Sequence, residues 1–153
     1  MIRHLLAKTF HLISAQRSYW LLLIRVTLGI IFIQTGFGKL THLDATTDFF
    51  QSIGVPFPFY NAILASSTEL IGGACLILGF FTRMVVLPLS FTMVVAIFTA
   101  LRGDIHSLSD FVRLQEWDYI LMFLLLFFTG AGKFSLDNIL AKWFNLYPDD
   151  YKV

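Results

Sequence analysis

Four ionisable side chains are predicted to lie within, or at the ends of, apolar segments that are long enough to cross a membrane. They are Lys39, Glu69, Arg102 and Asp118. Glu69 lies about seven residues inside its segment, a depth of roughly 10 Å at the helical rise of about 1.5 Å per residue. A carboxylate at that depth must be paired or must line a polar cavity.

These four groups come from different segments and are expected to converge on the outer half of the molecule. One interpretation is a polar cavity that holds a small anion, a quinone headgroup or a proton-linked group. The other is an ion-pair network that serves helix packing alone. The residue types do not decide between a ligand site and a packing network.

A second charge pair is predicted at the opposite end, between Arg25 and Asp137. Arg25 lies about five residues from the inner end of its segment, too far in depth from Glu69 for a pair. Asp137 belongs to a Ser-Leu-Asp motif after the last apolar segment. Because a buried cation needs a partner, we interpret Arg25 and Asp137 as a structural pair.

Other chemistries find little support in the sequence. His42, Asp104 and His106 lack metal-ligand spacing within one segment, so we predict no metal site. Cys75 is the only cysteine, which excludes a CxxC pair or a disulfide within the chain. A haem-ligating histidine pair and a flavin fingerprint are also missing. We expect no intrinsic cofactor, and favour a non-catalytic membrane subunit while leaving an enzyme open.

The composition predicts an integral membrane protein. Of its 153 residues, 57% are hydrophobic and 14% charged, whereas soluble domains carry about 25% charged residues. We predict one all-α domain over residues 1–153, an antiparallel four-helix bundle with spans at residues 20–40, 61–81, 84–101 and 117–132. The last span is short. Amphipathic patterns in residues 1–19, 41–60 and 133–144 predict interfacial segments.

Small residues are expected to bring two of these helices together. Arg25, Gly29, Phe32, Gly36 and Lys39 recur at spacings of three and four, which places them on one face of the first span. Gly72 and Gly73 share a face of the second span with Glu69. Because glycines permit close approach between membrane helices, Gly29, Gly36, Gly72 and Gly73 are predicted packing positions.

The distribution of basic residues predicts the orientation. Four spans put both termini on one side, which carries Arg3, Lys8, Arg17, Arg83, Lys133, Lys142 and Lys152, against Lys39, Arg102 and Arg113 on the other. The positive-inside rule then places both termini in the cytoplasm, with a bacterial inner membrane as the default location. The net charge of +1 does not suggest nucleic acid as a partner.

Four phrases of the sequence resemble the DoxX family of small four-helix membrane proteins. They are IRVTLGIIFIQTGFGKL, FFQSIGVPFP, TELIGGACLILGFFTR and GAGKFSLDNIL, in this order along the chain. The family is named after an association with the membrane subunit of an archaeal thiosulfate:quinone oxidoreductase. The resemblance therefore implies a membrane subunit or anchor of a redox-linked complex, with a quinone and a redox protein as expected partners besides the lipid bilayer. A small-solute transporter, a purely structural scaffold and self-association stay open as alternatives.

Overall fold

The computed structural model of this protein describes the backbone of residues 2–144 and the side chains of residues 16–144 apart from Asp104. Within these residues the secondary structure is entirely helical. The helices are α1 (Ile2–Thr41), α2 (Leu43–Ser52), α3 (Pro58–Leu78), α4 (Thr82–Thr99), α5 (Leu108–Val112), α6 (Gln115–Thr129) and α7 (Leu136–Trp143), with a 3₁₀ turn at Arg102–Asp104.

Three of the helical stretches are long and apolar enough to cross a membrane. They are Gln16–Thr41, Pro58–Leu78 and Thr82–Thr99, and each overlaps a span predicted from the sequence. Helix α1 begins at Ile2, so the N-terminal amphipathic segment is continuous with the first span rather than a separate helix. The amphipathic pattern itself rests on side chains outside the described residues.

The predicted fourth span is shorter than expected. Helix α6 has 15 residues and ends at Thr129, which gives a length of about 22 Å against a hydrocarbon core of roughly 30 Å. An extension towards Leu136 does not form, because Gly130 and Gly132 both adopt positive φ and turn the chain away. Three helical stretches are therefore long enough to cross the hydrocarbon core, whereas α6 packs beside them but is shorter than the core is thick.

Helices α1 and α3 make the closest contact in the described structure. A Cβ atom placed on Gly36 would lie 2.5 Å from the backbone nitrogen of Leu70 and 2.7 Å from the carbonyl oxygen of Ser66. Further along, a Cβ on Gly73 would lie 2.7 Å from the carbonyl oxygen of Gly29. The two backbones touch directly, and a larger residue at these positions would force the helices apart.

The core is completed by side chains of α4 and α6. Phe32 of α1 packs against the rings of Tyr119 and Phe123, with centroids 5.3 and 5.2 Å apart. Gly72 of α3 faces the side chain of Leu89, where an added Cβ would lie 2.9 Å from a methyl carbon. The buried apolar cluster is Leu21, Leu28, Phe32, Leu76, Val86, Leu89, Met93, Ile97, Ile120, Phe123 and Leu126.

Many large apolar side chains point away from this core. Leu64 and Ile71 of α3, Phe91 and Phe98 of α4, and Phe128 of α6 are all largely exposed. Contiguous apolar surface of this kind is unfavourable in water but suits contact with lipid chains. The exposed surface thus agrees with a protein embedded in a bilayer.

Two glycines of α1 provide a matched test of the contact between α1 and α3. Gly36→Ala should lower the free energy of unfolding by about 1–3 kcal/mol relative to Gly38→Ala, because overpacking at the contact has that typical cost. Gly38 has no heavy atom within 4 Å of an added Cβ, and both variants share the same gain in helix propensity. Thermal unfolding in mild detergent measures the difference. Equal stability of the two variants would contradict the direct backbone contact.

Candidate functional site

Lys39 and Glu69 form an ion pair at the end of α1, one turn beyond the contact at Gly36. Lys39 Nζ donates a hydrogen bond to Glu69 Oε1 at 2.6 Å. The Glu69 side chain is only 2% exposed, whereas that of Lys39 is 36% exposed. The pair therefore joins a buried carboxylate to a cation that reaches the surface.

The second carboxylate oxygen of Glu69 has a different environment. Oε2 is buried and has no hydrogen-bond partner among the described residues. Ser66, which is buried one turn earlier in the same helix, donates its hydroxyl instead to the carbonyl oxygen of Ala62 at 2.6 Å. An unsatisfied buried acceptor costs about 1–3 kcal/mol, and more when it is charged. Oε2 is thus an acceptor to which a hydrogen-bond donor would bind favourably.

The other two members of the predicted cluster lie apart from this pair. Arg102 and Asp118 are both exposed, and no ion pair joins either of them to Lys39 or Glu69 in the described structure. Arg102 instead lines a shallow groove of about 530 Å³ with Ile97, Phe98, Ile105 and Phe111. The predicted group of four residues is therefore reduced to Lys39 and Glu69.

The rotation of α6 explains why Asp118 is not part of the site. The buried face of α6 is formed by Ile120, Phe123 and Leu126. Asp118 lies on the opposite stripe with Met122 and Leu125, which are exposed. Both stripes of this helix are apolar, so hydropathy alone did not indicate which one faces the core.

Arg25 is a fully buried cation at the other end of the α1 face. Its Nε donates to the carbonyl oxygen of Leu76 at 3.0 Å and its Nη2 to that of Ile77 at 3.1 Å. Its Nη1 donates to the carbonyl oxygens of Phe134, at 3.1 Å, and Ala131. The guanidinium thus satisfies carbonyl groups at the C-terminal end of α3 and in the loop after α6.

Asp137 also binds backbone rather than the predicted cation. Its Oδ1 accepts from the amide of Phe81 at 2.7 Å and its Oδ2 from the amide of Thr82 at 2.9 Å, which are unsatisfied donors at the start of α4. In addition, the Asp137 amide donates to the carbonyl oxygen of Gly79 at 2.9 Å. No ion pair within 4.0 Å joins Arg25 to Asp137 in the described residues. The two charges share one end of the molecule, where each satisfies backbone groups instead of pairing directly.

Gly79 and Ser135, which lie in two of the sequence phrases that resemble the DoxX family, take part in this arrangement. Gly79 has a φ of +65°, and a Cβ there would lie 2.6 Å from Arg25 Cζ and from Ser135 Cβ. Ser135 is the N-cap of α7, where its hydroxyl accepts from the amide of Asn138 at 3.2 Å. We call Arg25, Gly79, Ser135 and Asp137 the inner clasp. The Ser-x-x-Asn spacing was the sequence signal for the cap.

The loop between α4 and α6 holds a local capping interaction. The Ser107 hydroxyl accepts from the Asp110 amide at 3.3 Å and donates to Asp110 Oδ2 at 2.8 Å. This hydroxyl and the nearby amide of His106 lower the pKa of the Asp110 carboxyl below its usual value. No group of three possible metal ligands occurs among the residues that the structure describes. Asp110 thus has a structural role at the start of α5.

Comparison with known proteins identifies the family. The sequence profile of DoxX matches residues 20–102, more than half of the chain. The chain belongs to the DoxX family. The resemblance noted from the sequence motifs is confirmed, and the matched region contains both Arg25 and the Lys39/Glu69 pair.

Relatives of this DoxX-family protein share most of its length. The chain is 34% identical over 133 residues to the inner membrane protein YphA of Escherichia coli, covering 82% of this chain and 93% of that protein. It is also 34% identical over 123 residues to a Bacillus subtilis protein named "Putative oxidoreductase CatD", covering 79% and 87%. The inner membrane protein YqjF of E. coli is 30% identical over 122 residues, covering 79% and 92%. No solved structure matches the chain.

The hydrogen bonds of the inner clasp predict how Arg25 and Asp137 contribute to the stability of the fold. Arg25→Met should lower the free energy of unfolding by about 3 kcal/mol or more, since several buried carbonyls lose their donor at about 1–3 kcal/mol each. Adding Asp137→Asn should not recover the loss, because Asp137 binds the amides of Phe81 and Thr82. Unfolding in detergent of both single variants and the double variant measures this. Recovery of stability in the double variant would instead indicate a direct ion pair.

Proposed function

We propose that this DoxX-family protein is the membrane subunit, or anchor, of a redox-linked complex, and that its Lys39/Glu69 pair binds the polar headgroup of a quinone. The observation that carries the proposal is Glu69 Oε2, a buried carboxylate oxygen with no hydrogen-bond donor in the described residues. The name of the Bacillus subtilis relative, "Putative oxidoreductase CatD", supports a redox setting.

The chemistry of the pair suits both forms of such a ligand. A hydroquinone carries hydroxyl groups, and Oε2 offers the acceptor that a hydroxyl requires. A quinone carries carbonyl oxygens, and an ammonium group has three donors, of which Lys39 uses one on Glu69. Since Lys39 is 36% exposed and Glu69 only 2%, the ammonium group is the part of the pair that a ligand at the surface would contact first.

A structural scaffold is the second candidate function. Its support is the position of the pair one turn beyond Gly36, where α1 and α3 are in backbone contact. In this case Lys39 and Glu69 fix the register of the two helices and bind nothing else. Transport of a small solute would use the same charges, but no separate observation favours it.

The variant Glu69→Gln distinguishes a ligand site from a scaffold. If the carboxylate binds a quinol hydroxyl, its loss should weaken retention of the reduced quinol by about 10- to 100-fold, since hydrogen bonds to charged groups contribute about 1.5–3 kcal/mol. The protein should stay folded. Purification in mild detergent, followed by mass spectrometry of co-purified quinone and a binding assay, measures the loss.

Asp118→Asn is the matched control, because it removes an exposed carboxylate that has no ion pair with Lys39. It should retain quinone as the unaltered protein does. If Glu69→Gln retains quinone equally well, or if the unaltered protein binds none, the headgroup site is refuted and the scaffold is favoured.

We also propose that α6 is a fourth span and that both termini are cytoplasmic, in an inner membrane. Local thinning of the bilayer accommodates a 15-residue helix at modest cost. The excess of lysine and arginine on the side of the termini supports the orientation. Two relatives from E. coli are named inner membrane proteins.

Cysteine labelling of whole cells tests this topology. In a Cys75→Ala background, Ser109→Cys in the exposed start of α5 should react with a membrane-impermeant maleimide. Lys142→Cys in α7 should react only after the cells are permeabilised. Labelling of both positions on the same side would mean that α6 does not cross, and the reverse pattern would invert the orientation.

A further inference from the structure

Helix α7 carries an apolar stripe that the described chain leaves uncovered. Leu136, Ile139 and Trp143 are 37%, 59% and 79% exposed, and their spacing of three and four residues puts them on one face. None of the residues of α7 is buried. The stripe is therefore available to a partner outside the described residues.

The charges beside the stripe are cationic. Lys142, next to Trp143, and Lys133, just before the helix, are both exposed. The single carboxylate of α7 belongs to Asp137, and its two oxygens are occupied by the amides of Phe81 and Thr82. The combination of an apolar stripe with exposed lysines is typical of helices that bind anionic lipid surfaces.

The position of α7 favours lipid over a protein partner. Asp137, in the first turn of α7, is bound to the first residue of α4, which is also the first residue of a candidate span. The first turn of α7 therefore lies at the level where α4 enters the membrane. Phe81 and Met84, on either side of this point, are largely exposed, and large apolar side chains exposed where a span begins suit contact with lipid chains.

We propose that α7 lies along the membrane surface at the Arg25 end of the molecule, with its apolar stripe among acyl chains and with Lys133 and Lys142 bound to anionic phospholipid headgroups. The inner clasp holds the helix at this level, because Asp137 and Ser135 fix its first turn. This proposal does not depend on quinone binding at the Lys39/Glu69 pair.

Fluorescence of Trp143 in the intact chain tests the proposal. Trp20→Phe and Trp117→Phe leave Trp143 as the only tryptophan. The protein is reconstituted into nanodiscs of phosphatidylcholine alone, or of phosphatidylcholine with phosphatidylglycerol in equal parts. Lipids brominated on the acyl chain should quench Trp143, and aqueous iodide should quench it weakly. Phosphatidylglycerol should increase the quenching by brominated lipid.

A variant with both Lys133→Gln and Lys142→Gln should lose the effect of phosphatidylglycerol and keep the unaltered thermal midpoint. Arg113→Gln, which removes an exposed cation at the other end, is the matched control and should keep the effect. Strong quenching by iodide without quenching by brominated lipid would overturn the proposal. Protection from both quenchers would overturn it in favour of a covering protein, and quenching that is indifferent to phosphatidylglycerol would overturn the role of the lysines.

Discussion

The backbone contact between α1 and α3 is the constraint on which the rest of the structure depends. Gly29, Gly36 and Gly73 allow the helices to approach until carbonyl and amide groups meet across the interface. Arg25 and Lys39 lie on the same face of α1, at the two ends of this contact. Because the helices are this close, the Arg25 guanidinium reaches the carbonyl groups at the end of α3, and Lys39 reaches the carboxylate of Glu69. One glycine-lined face thus positions both the buried Arg25 and the partly exposed Lys39.

The two ends of this face satisfy their charges by different means. At the Arg25 end, a planar guanidinium with five donors meets several carbonyl groups, and Asp137 meets the amides that begin α4. Backbone carbonyls and amides at helix ends have no partner within the helix. Arg25 provides donors for the carbonyls and Asp137 provides acceptors for the amides, so the two charges need not pair with each other. At the other end Lys39 provides a single contact to one oxygen of Glu69. Each nitrogen of the Arg25 guanidinium and both carboxylate oxygens of Asp137 therefore have hydrogen-bond partners, whereas one carboxylate oxygen of Glu69 has none in the described residues.

Some elements of this structure have a clear pattern in the sequence, and others do not. Hydropathy and helix-breaking residues located α3 and α4 to within a few residues, and the depth of Glu69 indicated a partner in the same half of the molecule. The partner of Arg25 was not predictable by residue type, because its acceptors are backbone carbonyls that any residue supplies. The exclusion of Asp118 depended on the rotation of α6, and in a helix that is apolar on both stripes no polarity pattern encodes that rotation. The end of α6 depended on the conformation of Gly130 and Gly132, which becomes evident only in three dimensions.

Two buried side-chain polar atoms lack hydrogen-bond partners in the described structure. The free-energy cost of the missing hydrogen bond differs between them. Thr82 Oγ1 belongs to a neutral hydroxyl at the Arg25 end, close to groups that already bind one another. Glu69 Oε2 belongs to a carboxylate, for which missing hydrogen bonds cost more than for a neutral group. The free energy available from supplying a donor is therefore larger at Glu69. Lys39, which is partly exposed, binds Oε1 of the same carboxylate, whereas Thr82 is fully enclosed. The larger free energy at Glu69 and the partial exposure of its partner Lys39 therefore favour the Lys39 end over the Arg25 end for the proposed ligand site.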